Sequence, residues 1–376
     1  MDPDVTPGFV QRLARSIVEW FDARQLVTWE RHDQNARLLM ITNVWPYDER
    51  PAYGPYVRDI ADELCRQGLI GDVLFIRGYR TSLAYVAGAL TSLLLPLAYP
   101  NKYLLVHSHG GETSLAARFY SGGPVLASYL GTDILGTQVG GGLRLRTKCW
   151  LRSLVLRAHA ATMSATTTKS HEMETLLVSR ARPRNSVIPD GVDRQRFYPM
   201  DRAQARAELG WPSDRTIVLF AGRAQSPEKR LWLARSAIDI AREQIPDIQL
   251  QIDEVVPPSE MPLHYAAADC LLHTSVSEGS PCVVKEALAC DLPVVATPSG
   301  DVRDLLAGVD ACEVCEAEPS MLAGALIRVL RLGHSNGRER TEHLSLEATT
   351  QRTLECYQGL GFPVRDAEGQ PALISR

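Results

Sequence analysis

The sequence predicts an α/β protein of two halves, each a parallel sheet covered by helices. Three observations carry that expectation. At 376 residues the chain exceeds one average domain and suits two. Short apolar runs of strand length alternate with segments of helical periodicity along its length. The alternation breaks at Val187-Ile-Pro-Asp-Gly-Val-Asp-Arg-Gln-Arg-Phe-Tyr-Pro, where Pro and Gly punctuate the chain, and then begins afresh. We therefore divide the chain into a helical extension (1–35), a first Rossmann-like domain (36–186), a second (187–344), and a last helix with its tail (345–376). Two such halves leave a cleft at the carboxyl ends of their strands, where sheets of this kind bind ligands.

The elements follow in order. Phe9 to Phe21 spaces its apolar residues at three and four, which predicts an amphipathic helix. Arg37-Leu-Leu-Met-Ile-Thr-Asn is short and apolar enough for a buried parallel strand. A helix from Asp59, ended by Gly68, leads to a strand at Asp72-Val-Leu-Phe-Ile-Arg. Further strands are predicted at Tyr103-Leu-Leu-Val-His, Pro124-Val-Leu-Ala-Ser-Tyr and Ala161-Thr-Met-Ser-Ala. In the second half they are Thr216–Gly222, Asp247–Ile252, Cys270–Thr274 and Leu292–Thr297, and Ser345–Tyr357 reads as a closing helix.

Composition narrows the class. With 45% hydrophobic and 22% charged residues the chain is an ordinary globular one, and a net charge of −4 gives no case for nucleic acid binding. No basic segment with an apolar core and cleavage site opens it, and its eight cysteines are scattered, so a reduced, cytoplasmic setting is expected. Cys312-x-x-Cys315 lacks a second pair or His ligands at zinc spacing, so it reads as an edge strand and is assigned no metal.

The chemistry centres on Ser-Val-Ser-Glu278-Gly279-Ser280-Pro-Cys282-Val283-Val-Lys-Glu286, directly after the apolar run ending at Thr274. Pro281 suits the start of a helix, whose free N–H groups at 282 to 284 would attract phosphate. Glu278 before the helix and Glu286 inside it would flank a diphosphate at a reach suited to hydroxyls on either side. Either Glu alone also fits a turn cap or a solvated helix face. Upstream, Ala221-Gly222-Arg223-Ala-Gln-Ser-Pro-Glu-Lys229 follows a strand: Gly222 allows a tight turn, and two cations on one loop can neutralise a departing diphosphate.

This Glu-x7-Glu with the following Leu-Pro-Val-Val-Ala-Thr-Pro-Ser-Gly (292 to 300) resembles the signature of retaining GT-B glycosyltransferases of family 4, and the likeness extends over roughly 37 to 358. It implies two Rossmann-like domains facing a central cleft, with the first on the acceptor side and the second holding a nucleotide diphosphate sugar. Gly54, Gly222, Arg223, Lys229, Glu278, Gly279, Ser280, Cys282, Val283 and Glu286 then belong to the donor, with Glu286 on the ribose. Arg223, Lys229, Glu278 and Asp133 carry catalysis. His107 and His109 of Val-His-Ser-His-Gly-Gly-Glu, with Asp133, face the acceptor. Ser128-Tyr-Leu-Gly-Thr-Asp133 departs from the family's His-Gly-x-Asp, because Leu130 replaces the His. Family members are understood to deprotonate the acceptor through a leaving phosphate oxygen, so that loss does not remove the reaction.

No cofactor is implied. Asp-x-Asp occurs only at Asp2-Pro-Asp4, so the expected reaction is metal-independent. Closest in flavour are bacterial enzymes of surface polysaccharide or glycolipid assembly. A soluble aminocyclitol acceptor, a nucleotide-sugar epimerase and a non-catalytic nucleotide-sugar-binding subunit are the alternatives.

One stretch points to a membrane. Residues 83 to 99 carry no charge, but Pro96 and the short core argue against a span, leaving a buried or an interfacial helix. From Ile134 to His171 there is no acid, while Arg144, Lys148 and Arg152 recur a turn apart on one helix face, which suits peripheral contact with an anionic bilayer holding a lipid-linked acceptor.

Overall fold

A computed structural model describes residues 8–364 apart from 48, 49, 51, 52, 70, 137–139, 141 and 255. Asp2-Pro-Asp4 lies outside the described residues. The first half folds on a seven-stranded sheet of β1 (Val27–Arg31), β2 (Leu38–Thr42), β3 (Gly71–Ile76), β4 (Leu105–His109), β5 (Val125–Ser128), β6 (Ala165–Thr168) and β7 (Asn185–Val187), in spatial order β1-β3-β2-β4-β5-β6-β7. All neighbours are parallel except β1 and β3. β2 and β4 are buried at every position, because helices cover both faces and no polar alternation is needed.

The second half holds β8 (Thr216–Ala221), β9 (Ile248–Asp253), β10 (Cys270–His273), β11 (Val294–Ala296) and β12 (Cys312–Val314), all parallel, in order β12-β11-β10-β8-β9. The Cys312–Cys315 segment thus supplies an edge strand. The first sheet ends at Val187, one residue beyond the boundary drawn from the sequence.

Several expected bounds shift, three of them in the first sheet. The extension 1–35 is not purely helical: after the helix Phe9–Ala23 the chain turns at Gln25 (φ 53) and β1 joins the sheet antiparallel to β3, which makes it part of the first domain. β4 begins at Leu105, two residues later than predicted. β6 begins at Ala165, because the helix Gly142–His159 runs straight into a 3-10 turn over Ala160–Thr162 and delays the strand.

The linker is fixed by the returning chain. Val192 donates to the Leu344 carbonyl (2.9 Å) and accepts from Leu346 N–H (2.8 Å), while a Cβ on Gly191 would stand 2.1 Å from Thr349 Oγ1. The helix Leu346–Gly359, capped by Ser345 through Ala348 N–H at 3.1 Å, then crosses to the first half. Its Leu346, Leu354 and Tyr357 complete a core with Leu38, Met40, Val57 and Leu64.

The uncharged stretch 83–99 forms the helix Leu83–Ala98, with Ala84, Ala87, Gly88, Thr91, Ser92, Leu95 and Ala98 buried. Its opposite face, Leu83, Val86, Leu90, Leu93 and Leu97, is exposed.

Candidate active site

Residues just beyond β2, β4, β5, β8 and β10 line one cleft of about 520 Å³ between the two halves. On the second-half wall, Gly222 at φ 135 opens the turn after β8; a Cβ there would touch the Lys229 stem at 3.5 Å. Arg230 sits in the left-handed region (φ 51) and donates to the carbonyls of Thr274 (2.6 Å) and Ser275 (2.9 Å). In return the Thr274 hydroxyl donates to the Lys229 carbonyl (2.6 Å), and Val276 N–H to that of Glu228 (2.9 Å). The two loops are thus stitched together, which sets Lys229 Nζ 2.6 Å from Glu278 Oε1. Burial works against the Glu278 charge, but Lys229 and then His273 outweigh it and hold its carboxyl below the ordinary value. Arg223 lines the same wall and is exposed.

The helix Cys282–Ala289 begins behind Glu278, with Pro281 as its N-cap. Val284 N–H is already bonded to the Pro281 carbonyl (3.2 Å), so the start offers less to a phosphate than the expected 282 to 284. Lys285, fully buried, donates to the Asp190 carbonyl (2.7 Å) and to Ser280 Oγ (2.9 Å), tying this helix to the linker. Ser280 is thereby engaged within the protein. Glu286 is half-buried and accepts from the Tyr265 hydroxyl at 2.7 Å; burial raises its carboxyl above the ordinary value although Tyr265 opposes this. Ser280, Cys282, Val283 and Glu286 stand beyond the residues that line the cleft, on which Ser277, Glu278 and Gly279 present themselves.

The first-half wall is built differently. Asp133 lines the cleft, yet its oxygens accept from the N–H groups of Gly111 (3.0 Å), Leu130 (3.0 Å), Gly131 (2.9 Å) and Ile134 (2.9 Å). It is a positioning residue that fixes the loops after β4 and β5; burial raises its carboxyl despite those bonds. His107 and His109 do not face the acceptor side as expected. Their strand is buried throughout, and neither lines the cleft. His107 is held between Tyr357 Oη and Ser128 Oγ, each at 2.7 Å. His109 packs its ring 4.0 Å from that of His107, and burial lowers it to about 3.

Gly54, at φ 72, caps the helix Pro55–Arg66 against Val44, where a Cβ would clash at 2.3 Å; its role is close backbone packing. Leu130 lines the cleft, and its carbonyl would stand 2.7 Å from a Cβ on Gly279, so the walls meet where only glycine fits.

The sequence reading missed Arg230, Lys285 and Tyr265, which hold the site rather than face it. A lysine inside an apolar helix stretch was the available signal for Lys285. It gave no cleft role to Asn43, Tyr85, Arg152 or Glu112, the last residue of Val-His-Ser-His-Gly-Gly-Glu, and all four line the cleft. Arg152 bonds Glu112 at 2.6 Å, so it leaves the exposed face expected to join it with Arg144 and Lys148.

Fold and site together define the two-domain GT-B architecture, with a cleft between its halves. Within it, residues 252–331 match the family described as Glycosyl transferases group 1. Similar relatives include the D-inositol 3-phosphate glycosyltransferases of Frankia alni, 31% identical over 215 residues (46% of this chain, 53% of the relative), and of Kineococcus radiotolerans, 31% identical over 222 residues (46% and 51%). The chain spans about half the length of these curated relatives. Among solved structures, sucrose-phosphate synthase from Thermosynechococcus elongatus superposes with a TM-score of 0.71 at 19% identity, covering 86% of this chain and 99% of that one. HepE from Anabaena, solved with UDP and glucose, gives 0.64 at 16% identity over 86% and 100%.

Proposed function

We propose that the cleft transfers a sugar from a nucleotide diphosphate donor to an acceptor hydroxyl with retention of configuration. The observation that carries this reading is the Lys229–Glu278 pair, held at 2.6 Å by stitched loops with Arg223 on the same wall. As the bond from the anomeric carbon to the diphosphate breaks, charge builds on the leaving oxygens, and Arg223 and Lys229 offset it. The acceptor oxygen bonds that carbon on the same face, and its proton passes to a phosphate oxygen. Glu278 orients hydroxyls of the donor sugar, and Glu286, steadied by Tyr265, those of the ribose. The cations make a divalent metal unnecessary in this scheme.

Neighbours in fold solved with UDP, UDP-glucose or ADP support the donor class. We place the acceptor in bacterial surface polysaccharide or glycolipid synthesis, at the inner face of the membrane. A second reading, a small phosphorylated cyclitol, is favoured by the relatives' names and by the polar wall of Asn43, Tyr85, Glu112 and Arg152.

A thermal-shift panel of nucleotide sugars tests the donor: a ligand at a hundred times its Kd stabilises the fold by about 2.7 kcal/mol. Glu286→Ala should weaken that ligand about tenfold, consistent with loss of a charge-assisted hydrogen bond. If no nucleotide sugar raises Tm, the reading fails. With a donor in hand, NMR of the product's anomeric centre decides retention, EDTA should leave the rate unchanged, and sugar rearrangement without acceptor would mark an epimerase.

A further inference from the structure

Among the described residues, the helix Gly142–His159 buries side chains fully only in its second part. From Gly142 to Leu151 every side chain is exposed except Cys149, which is half-buried, and full burial begins at Ser153. Leu143 is 79% exposed, Trp150 52% and Leu151 51%, which is unusual for large apolar residues left facing water together. At 100° per residue, Leu143, Trp150, Leu151 and Leu154 fall within about a third of the helix circumference. Arg146 flanks that stripe on one side, Arg144 and Lys148 on the other. Leu143, Thr147 and Leu151 with Arg144 and Lys148 line a shallow, mostly apolar groove along it. An apolar stripe carrying Trp and Leu, bordered by cations whose stems can reach outward, suits the boundary between lipid headgroups and acyl chains.

We propose that residues 142–151 form an interfacial anchor that seats the protein on an anionic bilayer. Charge decides the occupant. No acidic residue occurs between Ile134 and His171, so a second copy meeting this helix about a two-fold axis would set cations against cations, whereas an anionic surface neutralises them. The helix also leads to the cleft: Arg152 bonds Glu112 at 2.6 Å on the cleft wall, roughly 14 Å along the axis from Leu143 at 1.5 Å per residue. An acceptor head held in the lipid surface would meet the cleft at that depth. Only this last step rests on the proposed transfer reaction.

Sedimentation with vesicles, without donor or acceptor, tests the anchor independently of any turnover. Wild type should pellet with phosphatidylglycerol vesicles at low salt, stay in solution with phosphatidylcholine, and release as salt rises. Replacing Arg144, Arg146 and Lys148 together with Gln should weaken partitioning about a hundredfold. Leu143→Glu with Leu151→Glu should abolish it, with unchanged Tm showing that the fold is intact. Trp150→Phe should remove the blue shift of tryptophan emission on vesicle addition. Leu90→Glu, on the exposed stripe of the helix Leu83–Ala98, should leave binding as it was. Wild type that stays in the supernatant with anionic vesicles overturns the proposal, as does binding lost only with Leu90→Glu, or a dimer that the Leu143 and Leu151 changes disperse in the absence of vesicle binding.

Discussion

The two walls of the cleft use their polar residues in opposite ways. On the second-half wall, Arg223, Lys229 and Glu278 line the cleft, while Arg230 and Lys285 behind them hold the backbone through carbonyl oxygens. On the first-half wall the motif residues turn inward: Asp133 gathers four backbone N–H groups and His107 bonds Tyr357 and Ser128. What remains for the cleft there is Asn43, Tyr85 and Arg152, outside any motif, and Glu112, the last residue of Val-His-Ser-His-Gly-Gly-Glu. One wall presents its motif charges to the cleft; in the other most motif residues serve shape. Under the proposed transfer, such a division would let the reaction stay constant while the acceptor varies.

The contrast is most exposed at Lys229. Lys229→Ala should lower turnover by about 10² to 10³-fold, the loss typical of one transition-state donor, with a smaller change in donor affinity. Steady-state kinetics beside calorimetry would show it, and equal losses in both would assign Lys229 to ground-state binding. Asp133→Asn should do the reverse. An amide NH2 set against backbone N–H groups removes charge-assisted bonds, so stability should fall by roughly 2 to 3 kcal/mol in denaturant titration, with nucleotide affinity nearly intact. A variant as stable as wild type but inactive would move Asp133 into the chemistry.

The smallest expected effect concerns acid. His109 titrates near 3 in the folded chain against about 6.5 unfolded, because burial disfavours its charge. The unfolded state therefore takes up the proton first, and the stability present above pH 6.5 is lost as pH falls, by about 1.4 kcal/mol for this imidazole at pH 5.5. His109→Phe should flatten the fall in Tm between pH 7 and 5.5, and an unchanged slope would mean that the ring is hydrated.

The parallel sheets were legible because buried strands read as apolar runs, and part of the second-half wall because a Glu-x7-Glu follows one of them, its Glu278 lining the cleft. The course of β6 was not: Ala161-Thr-Met-Ser-Ala has strand composition, but the preceding helix runs on into a turn. The histidines of β4 misled for a related reason. A His at a strand end reads the same whether it faces a ligand or, as His107 does, a tyrosine from a helix far along the chain. The first-half wall was largely illegible because Asn43, Tyr85, Glu112 and Arg152 come from separate segments, and only folding brings them together.

That tyrosine has a consequence for the order in which the molecule is made. Leu346, Leu354 and Tyr357 cover Leu38, Met40, Val57 and Leu64. A ribosome releases the residues of the first sheet well before those of this helix, and domains generally fold as they emerge. Here the first domain must wait with part of its core uncovered while the whole second domain is synthesised. The half begun first is finished last, and a chain halted anywhere before residue 346 carries an unsealed apolar face that a chaperone or a protease could recognise.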